Sequence, residues 1–335
     1  MTRPIFVLLF CLSLFHCTSP KSPAVAFYYW RTTFDLSPEE QWTLKENNVS
    51  HLYVRYFDVV LKNGVPMPLS AVAFRSAPGA LNIVPVVYLK NEVMLAKDVD
   101  VNDLAKKILS LILQVNKQQN ITTSEVQIDC DWTLTSKDTY FSFLEALKKA
   151  GAKKLSATIR LHQVKYFKRT GVPAVDRGVL MYYNMGHIAA DSSNSIYDRR
   201  TATRYTESLK HYPLPLDVAL PVFSWGLHIR GNKVIALLNK VDVNTFAGDT
   251  SFRKQEGIPF FEVTHNVLKL DHFFEAGDRI KIESIAAADL TEMANDLTGV
   301  LAQPPAEVIF YDLDTFNLKH YRDEDNLYQN TGRAF

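Results

Sequence analysis

The sequence predicts a (β/α)8 TIM barrel, on three observations. Eight short segments rich in β-branched and aromatic residues recur along the chain, and most are followed by a stretch of helical periodicity. No G-x-G-x-x-G or phosphate-loop motif follows any of them, which removes the usual nucleotide-binding reason for the rival arrangement, an open doubly wound sheet. The 335 residues suffice for one such barrel with a large core.

Taken in order, residues 24–30 ("AVAFYYW") read as the first strand. Ser37, Pro38 and Glu39-Glu40 supply a helix cap, a first-turn proline and first-turn acids. Strands are predicted at 51–60 and 81–90, then an amphipathic helix at 101–119 with Leu104, Ile108, Leu111, Ile112 and Val115 on one face. A strand at 126–132 and a helix at 137–150, stopped by Gly151, come next. Strands at 155–161 and 178–184, a helix at 197–211 and a strand at 217–224 continue the alternation. Residues 232–285 break the pattern, with a Gly277-Asp278 turn ahead of "RIKIESI", and read as an inserted α+β lobe. A helix at 286–301 and a strand at 308–313 close the series.

The N-terminus has a positive start at Arg3 and an apolar run over 5–15 that is short for a bilayer span, so residues 1–17 read as an export signal. A polar linker over 18–23 then leads to a barrel domain over 24–335. Leu14-Phe15-His16-Cys17 resembles a bacterial lipoprotein cleavage site with Cys17 as the lipid-bearing residue, although His16 stands where a small residue is usual. The expectation is an exported protein, secreted or held in the cell envelope, that meets a membrane only through a lipid on Cys17. Cys130 is then the sole mature cysteine, so neither an internal disulfide nor a cysteine-based zinc site is expected. With 37 basic and 36 acidic side chains and no long run of either sign, nothing points to nucleic acid. No cofactor or metal is expected: His162, His187 and His228 follow three different strands and read as hydrogen-bonded side chains.

The chemistry centres on "EVQIDCDWTL". In a strand, Asp129 and Asp131 share a face, where mutual repulsion and lost hydration would raise the pKa of at least one. Cys130 alternates with them and reads as a small buried hydrophobe. Barrel sites form at the C-terminal strand ends, and there the chain places Trp30, Asp58, Asp129, Asp131, Tyr182, Tyr183, Asn184, Ser224, Trp225, Asp312 and Asp314. Acids that bind hydroxyls or move protons, beside rings that stack on pyranose faces, suit a carbohydrate ligand or substrate. Arg55, inside the second strand, needs an acid, and Asp129 is the expected partner.

These residues also carry a family resemblance. "VQIDCDWT" resembles the fourth-strand motif of the chitinases of glycoside hydrolase family 18, in which alternating acids end in Asp-x-Asp, an aromatic and a catalytic Glu. "MYYN" (181–184) and "LPVFSWG" (220–226) are similar to that family's sixth- and seventh-strand segments, and "VIFYDLD" stands where its last strand shows an aromatic. The resemblance implies a barrel with a lobe after the seventh strand, Asp131 gripping an N-acetyl group, and Tyr183 steadying the same oxygen. Thr133 occupies the position of the catalytic Glu, and a threonine hydroxyl is no general acid at neutral pH, a loss of roughly 10²–10⁴-fold. The chain also resembles a group of bacterial secreted barrels with an "IDxD" fourth strand (DUF3142-like), where the missing Glu would be normal. Two functions follow as expectations: a glycosidase with Asp131 or Asp129 as acid and Asp58, Asp312 or Asp314 as second carboxylate, or a lectin-like protein that binds a glycan without cleaving it.

Overall fold

The computed structural model describes residues 22–335. The expected export signal, Cys17 and residues 18–21 of the linker lie outside the described residues. Eight parallel strands form the barrel: β1 Ala24–Tyr29, β2 His51–Lys62, β3 Asn82–Leu89, β4 Val126–Asp129, β5 Leu155–Arg160, β6 Arg177–Met181, β7 Leu216–Pro221 and β8 Glu307–Tyr311. They neighbour one another in chain order, and β1 pairs with both β2 and β8, which closes the ring. The principal outer helices are α1 Pro38–Glu46, α2 Val101–Gln119, α3 Lys137–Ala150, α4 Arg199–Thr206, α5 Ala287–Leu297 and α6 Leu327–Arg333.

Local chemistry accounts for the helix ends. Ser37 and Glu40 form a reciprocal capping box at α1, Asp100 accepts from two backbone N–H groups at the start of α2, and Gly151 ends α3 in the left-handed region. The helix expected over 197–211 is instead α4 followed by a 3₁₀ turn, Glu207–His211, a tightening common where a helix ends. Several strands stop short of the apolar runs that mark them. β4 ends at Asp129, yet Trp132 stays buried because its ring packs on Tyr140 and Phe141 of α3. Apolar sequence thus persists into the loops that build the barrel's mouth.

The lobe's sheet begins at Trp225, immediately after β7, and not at 232. Strand Trp225–Arg230 runs into the Gly231-Asn232 turn and returns as Lys233–Asn239. With Phe252–Lys254, Phe260–Val263 and Arg279–Glu283 these make a five-stranded antiparallel sheet over its own small core, which includes Phe246, Phe261 and Ile280.

Inside the barrel, the N-terminal end carries a buried ionic cluster. Arg177 reaches Glu125 at 3.0 Å, Asp217, the Tyr53 hydroxyl, and Glu307 at 3.6 Å. Glu307 also accepts from Tyr53 at 2.6 Å and pairs with His51. Asp217 accepts from the backbone N–H groups of Ala306 and Glu307, both at 2.9 Å. Burial pushes the Asp217 carboxyl up to about 6 despite Arg177. Above this layer, the Tyr28 hydroxyl donates to Gln127 at 2.7 Å across the barrel axis.

Candidate functional site

The alternation of β4 carries Gln127 and Asp129 into the barrel and continues to Asp131 at the rim. Their partners show this directly, because each is matched on β5. Gln127 donates to Ser156 at 3.3 Å, Thr158 donates to Asp129 at 2.7 Å, and Arg160 makes a charged hydrogen bond to Asp131. The two acids differ in setting. Asp129 is buried, and desolvation, opposed by the Thr158 bond and reinforced by Asp131, raises its pKa to about 6. The Asp131 side chain is 42% exposed, so its pair with Arg160 sits at the water boundary.

Around these acids runs an arc of aromatic rings. Trp30 lies 5.5 Å from Tyr311, which stacks on Tyr183 at 5.6 Å. Phe223 stands 5.9 Å from Tyr311 and 6.0 Å from Tyr183, and 5.2 Å from Trp225 at the far end. Tyr183 is buried beside Asp129, Arg160, Asp312 and Asp131, and its hydroxyl is held well above the ordinary range, chiefly by desolvation. The structure therefore gathers Asp129, Asp131, Tyr183, Trp30 and Trp225 around one mouth. Asn184 is exposed beside them in the left-handed region and lines a hollow of about 100 Å³ with Arg160, His162 and Tyr205.

Other residues named from sequence are spoken for. Asp58 is buried in a bidentate pair with Arg55, at 2.8 and 2.5 Å, so the partner of Arg55 is Asp58 and not Asp129. Asp312 is buried and accepts from Asn317 at 2.7 Å, and desolvation with the neighbouring Asp314 pushes its pKa to about 6. Asp314 caps the short helix Thr315–Leu318 and pairs with Lys240 at 2.6 Å. Tyr182 points outward, donating to Asp296 of α5 at 3.4 Å. Ser224 donates to the Val241 carbonyl at 2.8 Å, and His228 lies in the lobe, paired with Asp278 at 2.7 Å. Thr133 is exposed, its hydroxyl 2.9 Å from that of Thr135 and its N–H donating to Ser136.

Comparison with known proteins rests on structure, since no family model and no curated protein sequence matches. A chitinase from Chromobacterium violaceum ATCC 12472 superposes with a TM-score of 0.53 at 11% identity, covering 94% of this chain and 98% of its own. The shared fold is the (β/α)8 barrel. A chitinase-like agglutinin from Robinia pseudoacacia shares it equally, with a TM-score of 0.53, 11% identity, and coverage of 92% and 98%. A class V chitinase from Nicotiana tobaccum gives 0.52 at 8%, covering 93% and 99%. At such identities the likeness concerns the backbone alone.

Sequence reasoning missed three contributors to the mouth of this barrel. Arg160 is one, although its spacing of two from Thr158 at a strand end was a signal of the same kind that picked out Asp131. Phe223 is the second, one residue from Ser224 and on the other face. Glu283 is the third: its carboxylate accepts from the Trp225 indole N–H at 2.8 Å and from the Ser195 hydroxyl, and pairs with the buried Lys281 at 2.6 Å. Lys281 in turn donates to the carbonyls of Ala189 and Ser193 at 2.8 Å, so the lobe fixes both Trp225 and the loop after β6.

Proposed function

We propose that the chain binds a glycan at the C-terminal mouth of its barrel without hydrolysing it. The observation that carries this reading is the engagement of Asp131 by Arg160. A carboxylate that must grip an N-acetyl group or move a proton is here neutralised by a guanidinium, while Thr133 offers only a hydroxyl at the place where the resembled family has its acid. The aromatic arc from Trp30 to Trp225 remains as a stacking floor. Support comes also from neighbours of the same fold: one is an agglutinin, and a Cycas revoluta chitinase was solved with (GlcNAc)4. N-acetylglucosamine oligomers are therefore the first ligands to try.

The decisive experiment incubates the purified protein with these oligomers and with a panel of bacterial and host glycans. Binding with no product at high protein load is the expected result. Turnover that is abolished by Asp131→Asn would replace this reading with the second, a glycosidase. One observation favours that alternative: Asp129 and Asp312 both titrate near 6, so either could hold a proton for a leaving group near neutral pH. Both are buried, which places them poorly to reach a glycosidic oxygen. The glycan would be met outside the cytoplasm, with export directed by residues 1–17 and anchorage through Cys17. Loss of labelled-palmitate incorporation in Cys17→Ser, with wild-type incorporation as control, tests the anchor.

A further inference from the structure

At the mouth the acids are engaged and the donors are not. Asp58 is held by Arg55, Asp129 by Thr158, Asp312 by Asn317, and Asp131 by the Nε of Arg160. Neither terminal amine of Arg160 donates to a protein acceptor among the described residues, and only 32% of its side chain is exposed. A charged donor so far withdrawn from water is costly to leave unpaired. The opposite end of the same barrel shows how much one guanidinium can hold, since Arg177 meets Glu125, Asp217 and Glu307 at once. Arg160 meets a single carboxylate.

Arg160 lines the hollow of about 100 Å³ between the ends of β5 and β6. The other polar side chains there are His162, Tyr183, Asn184 and Tyr205, and no carboxylate is among the lining residues. His162, Asn184 and Tyr205 make no side-chain hydrogen bond to protein among the described residues. Over the Tyr205 ring stands a second cation, Lys165, its ammonium 5.0 Å from the ring centre and without an ion-pair partner among the described residues. At about 30 Å³ per water, the hollow has room for a small substituent and not for a sugar ring. Tyr183 joins it to the aromatic arc, because the same side chain stacks on Tyr311.

We propose that this hollow is a carboxylate subsite of the mouth, and that the glycan bound there carries an acidic sugar. The inference rests on the reading of the mouth as a glycan site and narrows its ligand. The pyranose lies on the arc while its carboxylate meets the terminal amines of Arg160, with the Asn184 amide and an N–H of His162 as further donors. A planar guanidinium matches a carboxylate through two parallel hydrogen bonds, a geometry that a sugar hydroxyl uses only in part. Lys165 adds positive potential at the wall. An ammonium on the sugar finds no counter-charge in the lining, so the subsite discriminates against amino sugars.

The test is calorimetric titration of the full chain with a tetramer alternating glucuronic acid and N-acetylglucosamine, and with the same tetramer after reduction of its carboxyl groups to alcohols. The acidic tetramer is expected to bind tenfold or more tightly than the reduced one. That advantage should shrink as salt rises to about 0.5 M, where charges open to water are screened. Arg160→Met combined with Asp131→Asn removes the guanidinium and keeps the net charge of the pair at zero, and should abolish the preference. Asn184→Gly, which the left-handed backbone at that position accepts, should narrow it several-fold. Thermal melting verifies that the variants fold. Equal affinity of wild type for the two tetramers overturns the carboxylate subsite and leaves the mouth a glycan site. A preference that survives the Arg160 double variant overturns it as well. Failure of both tetramers and of N-acetylglucosamine tetramer to bind overturns the glycan reading, and the subsite with it.

Discussion

Replacing Asp129 by asparagine should make the protein's stability less dependent on pH, and the size of the effect follows from the site. In the folded chain Asp129 keeps its proton up to about pH 6, whereas the unfolded chain releases it near 3.8. Between those values the native state binds more protons, so stability falls as pH rises, and the loss is complete above about 6. A shift of about two units at about 1.36 kcal/mol each gives about 3 kcal/mol. Asparagine keeps an oxygen for the Thr158 hydroxyl but cannot ionise. The assay is urea unfolding followed by tryptophan fluorescence, for both proteins, at a series of pH values from about 4 to 8. Asp131, Arg160 and Asp58 are retained in both proteins. The variant should gain about 3 kcal/mol on the wild type between pH 4 and 7.5. A difference that stays flat across the range refutes the claim that Asp129 is a desolvated, protonatable group.

Three further outcomes are expected. Arg177→Met strands Glu125, Asp217 and Glu307 inside the barrel and should cost about 3–5 kcal/mol at neutral pH by denaturant titration, recovering partly toward pH 5 as Asp217 takes up its proton. Gly178→Ala drives a methyl to 2.7 Å from both Ile159 and Leu216, an overpacking expected to cost about 1–3 kcal/mol, visible as a lower melting temperature. Trp225→Ala removes the last ring of the arc and should weaken glycan binding by about two- to tenfold with little loss of fold, measured by titration with N-acetylglucosamine oligomers.

The period-two alternation of "EVQIDCDWTL" was enough to place both acids on one inward face, and helices α2 and α3 match the stretches whose caps and apolar spacing marked them. What could not be read was pairing. Arg160 meets Asp131 because closure of the barrel sets the register of β5 against β4, a quantity no local pattern encodes. Arg55 and Asp58, three apart, should lie on opposite faces of a regular strand. The irregularity between Arg55 and Phe57 resets the alternation and brings them together. The Glu283 partner of Trp225 comes from the far side of the lobe, beyond any spacing argument. Acids at strand ends were legible as a class; which of them are committed to caps and internal pairs, as Asp58 and Asp314 are, depended on neighbours distant in the chain.

The ionic clasp around Arg177 ties β2, β4, β6, β7 and β8 at the end opposite the mouth. Because that tether uses no rim residue, the upper loops are free to exchange one side chain for another without loosening the staves beneath. The mouth can therefore vary its chemistry on a scaffold whose cohesion is anchored elsewhere.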